Sequence, residues 1–187
     1  MKIDRHYFRS NGEIRSVELI GLSDASEKAY AAVVYARADV AGEPACQTSL
    51  IGSKTRVAPL KKQTIPRLEL LGAFILSRLM KRIYEIIGTE FCINDVTCCI
   101  DSVIAFGWIQ HVDIEYKKFV QNKVVDIRKN TNLDKWRHVP GTENIADLPT
   151  RGCLPEVLTD NKKWLKGPEW ISKPKKEWPL KEWPIEI

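Results

Sequence analysis

The sequence predicts an α/β domain: a five-stranded mixed sheet, three antiparallel strands followed by two parallel ones, flanked by helices. Two patterns carry this expectation. Three short apolar runs with strand character precede a long stretch of helical period, and two further strands alternate with helices after it. The fourth run, Val96 to Ile100, is apolar at consecutive positions, as in a strand covered on both faces and parallel to its neighbour.

The first strand is Val17 to Leu22, ending at Asp24 among small Ser23, Ala25 and Ser26. Ala29 to Arg37 follows after only Glu27-Lys28, so a hairpin joins the two. Val40 to Ala45 holds Gly42 and Pro44 and reads as a loop, and Cys46 to Ser53 completes a meander. Before it, the polar residues Met1 to Arg15 contain a Ser10-Asn11-Gly12 turn.

Pro66 then marks a helix start, where its missing N–H is harmless. Leu68, Leu71, Ile75, Leu79 and Ile83 recur at helical spacing up to Ile87, and Gly88 serves as C-cap. After the fourth strand come Asp101-Ser102 and a short helix. An amphipathic helix spans Tyr116 to Lys129, with Phe119, Val120, Val124 and Ile127 inward. Its Lys117, Lys118, Lys123, Arg128 and Lys129 are expected to face out. Leu133 to Val139 supplies the fifth strand, Pro140-Gly141 a turn, and Asn144 to Thr150 a short helix.

Composition changes at Gly152, which divides a domain of residues 1–152 from a segment of 153–187. Leu154 to Lys163 reads as a last helix. Beyond Pro168 the repeated Lys-Glu-Trp-Pro (Lys176 to Pro179, Lys181 to Pro184) argues against helix and sheet, leaving a tail or linker whose tryptophans are free to pack against the body.

Hydrophobic residues make up 44% and charged residues 28% of the 187, the balance of a globular domain with a sizeable core. The formal charge of +5 allows a polyanionic partner without requiring one. Five cysteines and three histidines follow no zinc spacing, which predicts a reducing, intracellular setting, cytoplasmic or nuclear. No stretch is apolar enough to span a membrane, and the charged start is no signal peptide.

Four acids fall at matching places: Asp24 and Asp101 at strand ends, Glu69 in the first turn of the long helix, Asp147 entering the late one. Each has an ordinary explanation. Asp24 suits an Asx turn, Glu69 the positive end of a helix, Asp101 an N-cap, and Asp147 either of the last two. Yet Gly72 and Ala73 give the helix near Glu69 a small face that can approach the sheet, and Asp147 sits in the half-apolar Asn144-Ile145-Ala146-Asp147-Leu148. Four carboxylates in one place repel unless cations lie among them, and oxygen donors suit Mg²⁺ or Mn²⁺. Two such ions roughly 4 Å apart clamp a phosphodiester.

The chain also resembles the ribonuclease H domain of BEL/Pao long-terminal-repeat retrotransposons. The resemblance lies in Ser23 to Tyr30, Ser53 to Lys61, Thr-Ile-Pro-Arg-Leu-Glu-Leu-Leu (Thr64 to Leu71) and Ile100 to Ser102. Trp136 to Pro140, Asn-Ile-Ala-Asp-Leu-Pro-Thr-Arg-Gly (Asn144 to Gly152) and Trp164 to Trp170 complete it. It implies a ribonuclease H-like fold and an endonuclease that cuts the RNA strand of RNA/DNA hybrids during reverse transcription. It implies that Asp24 bridges two Mg²⁺ (or Mn²⁺), that Glu69 and Asp101 complete one ion, and that Asp147 completes the other. Partners so implied are the hybrid and the reverse transcriptase and integrase regions of one Pol polyprotein. Ile145, Pro149 and Thr150 depart from the family's Asn-Pro-Ala-Asp-Leu-Ala-Ser-Arg. The short loop Pro140 to Glu143 lacks the mobile histidine of bacterial relatives, which leaves His138 as the candidate for proton transfer.

Lys54, Arg56, Lys61, Lys62 and Arg67 crowd the approach to Glu69 and, with Arg151, are the candidate contacts to the hybrid. Trp108 and Trp136 read as core. Three rivals stand beside this reading: a catalytically inactive or domesticated hybrid-binding scaffold, an integrase-like core, and a structural protein with incidental acids. The early position of Glu69 argues against the second, whose glutamate comes last.

Overall fold

In the computed structural model, which describes residue 8 and residues 12–185, three long strands open the chain: β1 (Ile14–Ala25), β2 (Ala29–Val40) and β3 (Gln47–Val57). They pair antiparallel in succession, as the short connection at Glu27-Lys28 requires. β4 (Ile93–Ile100) lies parallel to the other side of β1, and β5 (Trp136–His138) parallel to β4. The order is β3-β2-β1-β4-β5, the predicted five-stranded mixed sheet. The charged start, and Ser10-Asn11 of the expected turn, lie outside the described residues.

Helix α1 (Ile65–Ile87) carries Pro66 in its first turn and packs Leu68, Leu76, Met80 and Ile83 on one face of the sheet. Gly88 ends it with φ −62°, so the cap is right-handed rather than the left-handed form glycine usually supplies there. Helices α2 (Val103–Gln110) and α3 (Lys118–Asn130) complete this layer. On α3 the expectation for Arg128 fails. Its guanidinium turns in and donates to the carbonyls of Trp108, Ile109 and His111, satisfying carbonyls at the end of α2 beyond the bond that the His111 cap N–H gives Gly107.

Three further elements differ from their predicted forms. The fifth strand keeps only three residues, because Leu133–Lys135 winds into a 3₁₀ turn. Asn144 to Thr150 yields a shorter helix, α4 (Asp147–Arg151). The expected single helix over Leu154 to Lys163 is two, α5 (Pro155–Thr159) and α6 (Lys162–Lys166), broken where Asn161 caps α6 by accepting from the Trp164 N–H.

The proline-rich stretch forms a short helix, α7 (Glu169–Ser172), where proline density argued against one. Trp164, Trp170 and Ile171 bury against Ile20, Leu22, Val33 and Tyr35 on the sheet face opposite α1. This explains why β1 is apolar without alternation: both its faces are covered. Arg37 donates to the carbonyls of Ile171 and Lys173, Lys175 pairs with Glu18 and Asp95, and Lys181 exchanges two backbone hydrogen bonds with His138 on the edge strand β5. No helix among the described residues is long and apolar enough to cross a membrane.

Candidate active site

Register places the first two acids. Ser23 of β1 lies opposite Ile100 of β4, so Asp24 and Asp101 leave the parallel pair at one level. Glu69 reaches that level because α1 sits unusually close to β1. A Cβ on Gly72 would lie 3.0 Å from the Asp24 carbonyl oxygen, and one on Gly21 would lie 2.5 Å from Leu76 Cδ1. The glycines therefore set the depth of the helix, and one turn before Gly72 comes Glu69. Asp147 enters from the opposite side at the start of α4.

Asp101 is not the cap of α2. Ser102 is, its hydroxyl accepting from the Ala105 N–H, which leaves the Asp101 carboxylate without a capping role. Its Oδ1 is buried and, among the described residues, has no hydrogen-bond partner. Asp24, only 6% exposed, accepts from the Thr150 hydroxyl at 2.6 Å. Asn144 donates to the Ser23 carbonyl at 2.9 Å, tying the loop before α4 to the end of β1.

The acids sense one another. Burial first, then the charges of Asp101 and Asp147, pushes the Asp24 carboxyl up to about 6, against the pull of the Thr150 hydroxyl. Burial, followed by Asp101 and Asp24, raises Glu69 to about 7. Asp101 is raised mainly by burial, with Asn144 and His138 opposing and Asp147 adding. Among the described residues, however, no group of three or more His, Cys, Asp or Glu side chains is arranged to hold a metal ion. The acids share one electrostatic neighbourhood without forming, among the described residues, a three-ligand group.

The donor set nevertheless fits a hard divalent cation. It offers carboxylate oxygens alone, one of them buried and orphaned, in a place where negative charge is costly. The cation the structure does bring is Arg151, paired with Asp147 at 2.6 Å along α4 and otherwise exposed. His138 lies behind Asp101. Its Nε2 is 3.0 Å from the Asp101 backbone carbonyl, an acceptor only, so the proton sits on Nε2, and Nδ1 is buried with no partner among the described residues.

The candidate hybrid contacts separate. Lys54 and Arg56 are exposed on β3, and Lys61 and Lys62 on the loop before α1. Arg67 lies over the Phe119 ring, and Arg151 is held by Asp147. Trp136 is buried, its indole N–H donating to Thr131; Trp108 is half-buried against Tyr116. Thr150 and Asn144 are the site residues that the sequence did not mark. Each acts across more than a hundred residues of chain, and only the small polar character of Thr150 within the Asp147 motif hinted at it.

A family profile described as Pao retrotransposon-like RNaseH-like domain matches residues 1–102, a span containing Asp24, Glu69 and Asp101. No curated protein matches the chain. Similar solved structures include ribonuclease H1 from the archaeon Halobacterium salinarum NRC-1, at 14% identity and TM-score 0.41, covering 69% of this chain and 89% of that one. Another is LC11-RNase H1 in complex with an RNA/DNA hybrid, at 12% identity and TM-score 0.43, covering 68% and 89%. A third is the N-terminal RNase H domain of a Mycobacterium tuberculosis protein, at 10% identity and TM-score 0.41, covering 71% and 86%.

Proposed function

The chain belongs to the Pao retrotransposon-like RNaseH-like domain family, and from that premise we propose that it hydrolyses the RNA strand of RNA/DNA hybrids during retrotransposon reverse transcription. The observation that carries the reading is the convergence of Asp24, Glu69 and Asp101, from three separate elements, at one end of the sheet, each carboxyl raised first by burial and then by neighbouring acids. Asp24, Glu69 and Asp101 would hold one Mg²⁺ or Mn²⁺, and Asp24 with Asp147 a second. When bound, such ions supply the positive charge that activates water for attack on phosphorus and steadies the departing oxygen.

The chain's own groups prepare that place. The Thr150 hydroxyl and the Ala25 backbone N–H orient the Asp24 carboxylate. Asn144 holds the backbone of Ser23, and so the exit of β1, in register with the loop before α4. Arg151 balances Asp147 and is exposed enough to swing toward a phosphate when a metal takes over that carboxylate. Lys54, Arg56, Lys61, Lys62 and Arg67 would meet the backbone of the hybrid on the same side. His138 would act on Asp101 through its place behind that residue. The products are an RNA 3′-hydroxyl and a 5′-phosphate.

A second reading, a hybrid-binding domain without catalysis, is favoured by the finding that, among the described residues, no three of the acids are grouped to hold one metal ion. End-labelled RNA annealed to DNA separates the two. The proposal expects cutting in Mg²⁺ or Mn²⁺ that falls by about a thousandfold in Asp101→Asn while hybrid binding persists. Binding without cutting by the unaltered protein favours the scaffold; neither binding nor cutting removes both.

A further inference from the structure

Away from the acids, α1 and β3 enclose an open groove of about 490 Å³. Lys54, Arg56, Arg78, Lys81 and Arg82 line it, against a single acid, Glu85. Phe74 lies in the groove with the Arg78 guanidinium 5.5 Å and the Lys123 ammonium 3.9 Å from its ring centre, so α3 contributes a further cation. Among the described residues the five lining cations form no ion pair with any acid. Arg78 and Arg82 stand four apart on the helix, a spacing at which like charges repel. The sequence reading did not include Arg78, Lys81 or Arg82 among its contacts.

Register connects this groove to the acidic site. Asp24 is opposite Ala31, and Ala31 opposite Thr55, so Lys54 and Arg56 bracket the level of Asp24 two strand spacings away, roughly 10 Å. From Glu69 to Arg82 along α1 is roughly 20 Å, about six steps of a nucleic-acid strand. We infer that the groove is a second contact for nucleic acid, holding the phosphate backbone of the duplex several steps from the acids. The inference rests on the reading that this end of the sheet receives a hybrid. Three arginines among unpaired lysines, in an elongated track that begins at the level of the site, suit a run of phosphates better than a compact acidic protein segment.

The test is hybrid binding without divalent metal, followed by fluorescence anisotropy on a hybrid of about 20 base pairs between roughly 50 and 200 mM salt. R78E/R82E is compared with the unaltered chain and with K162E/K166E, which makes the same charge change on α6, across the sheet. The inference expects R78E/R82E to bind roughly tenfold or more weakly, its salt slope lower by about two, and K162E/K166E to fall much less. Equal losses in both variants would make the effect one of net charge and overturn the inference, as would an unchanged slope in R78E/R82E. A polyglutamate peptide that binds the unaltered chain more tightly than the hybrid, and needs Arg78 and Arg82, would assign the groove to an acidic partner instead. Because no step requires cutting, a chain that shows the groove-dependent slope yet never cleaves loses the hydrolase reading alone.

Discussion

At the scale of single residues, the candidate site is a place where charge is held at a cost. Asp24 and Glu69 have folded-state values of about 6 and 7, above their ordinary 3.8 and 4.5. Raised carboxyls bind protons more tightly in the folded state, so what they contribute to stability is fully present below the ordinary values and is lost as pH rises through 6 and 7. The metal-free chain should therefore lose stability across that window. Asp24→Asn should flatten the loss and stabilise the chain at pH 8 by on the order of 1–3 kcal/mol, raising the melting temperature there; thermal melts from pH 5 to 8 check it. Thr150 allows a finer test. Its single hydroxyl proton is best given to Asp24 at 2.6 Å, with the Asp147 carbonyl at 2.9 Å the weaker acceptor. Thr150→Val removes that donor and raises Asp24 further, so cutting at neutral pH should fall roughly tenfold while Thr150→Ser restores most of it. A Val variant as active as the Ser variant would make Thr150 mere packing. The acids themselves were legible in the sequence because each ends or begins an element. Thr150 and Asn144 were not, since their partners are defined only by the closing of the chain.

At the scale of elements, α1 was the most readable, because its apolar stripe holds the 3.6 period for most of its 23 residues. The depth at which it docks also follows from sequence, through the small face at Gly72 and Ala73. Gly72→Ala isolates that depth. Alanine improves helix propensity by about 1 kcal/mol, but its Cβ meets a strand backbone oxygen that cannot move cheaply. The two effects should leave overall stability within about 1 kcal/mol while cutting falls at least roughly tenfold, because the shift separates Glu69 from Asp24. Melting and cleavage measured on one preparation check this, and parallel losses in both would refute it. Less readable were β5, where three residues of pairing leave too little pattern to tell strand from turn, and Arg128, whose role depends on carbonyls brought to it by α2. A charged residue on a helix reads as solvent-facing until a neighbouring helix ends beside it.

At the scale of the whole molecule, the sheet is covered by two layers from different parts of the chain. Helices α1, α2 and α3 build one side, and the stretch from α4 onward closes the other. Packing of the tail tryptophans on the body was left open by the sequence, but tryptophans spaced by Lys-Glu and Pro carry no period that names the face they cover. Trp170 is 5% exposed against that face. Trp170→Ala should cost about 3–5 kcal/mol, read as a lower denaturant midpoint, whereas a loose tether would leave the midpoint unchanged. The closing layer also carries Asp147, whose charge acts on Asp24 and Asp101, and we propose that these acids take up metal together. Calorimetric titration of the unaltered chain and Asp24→Asn with Mn²⁺ at neutral pH tests this most directly. The account predicts two ions bound per unaltered chain, with protons released from Asp24 and Glu69, and loss of both ions in the variant. Absence of binding, or binding that Asp24→Asn leaves intact, would contradict it.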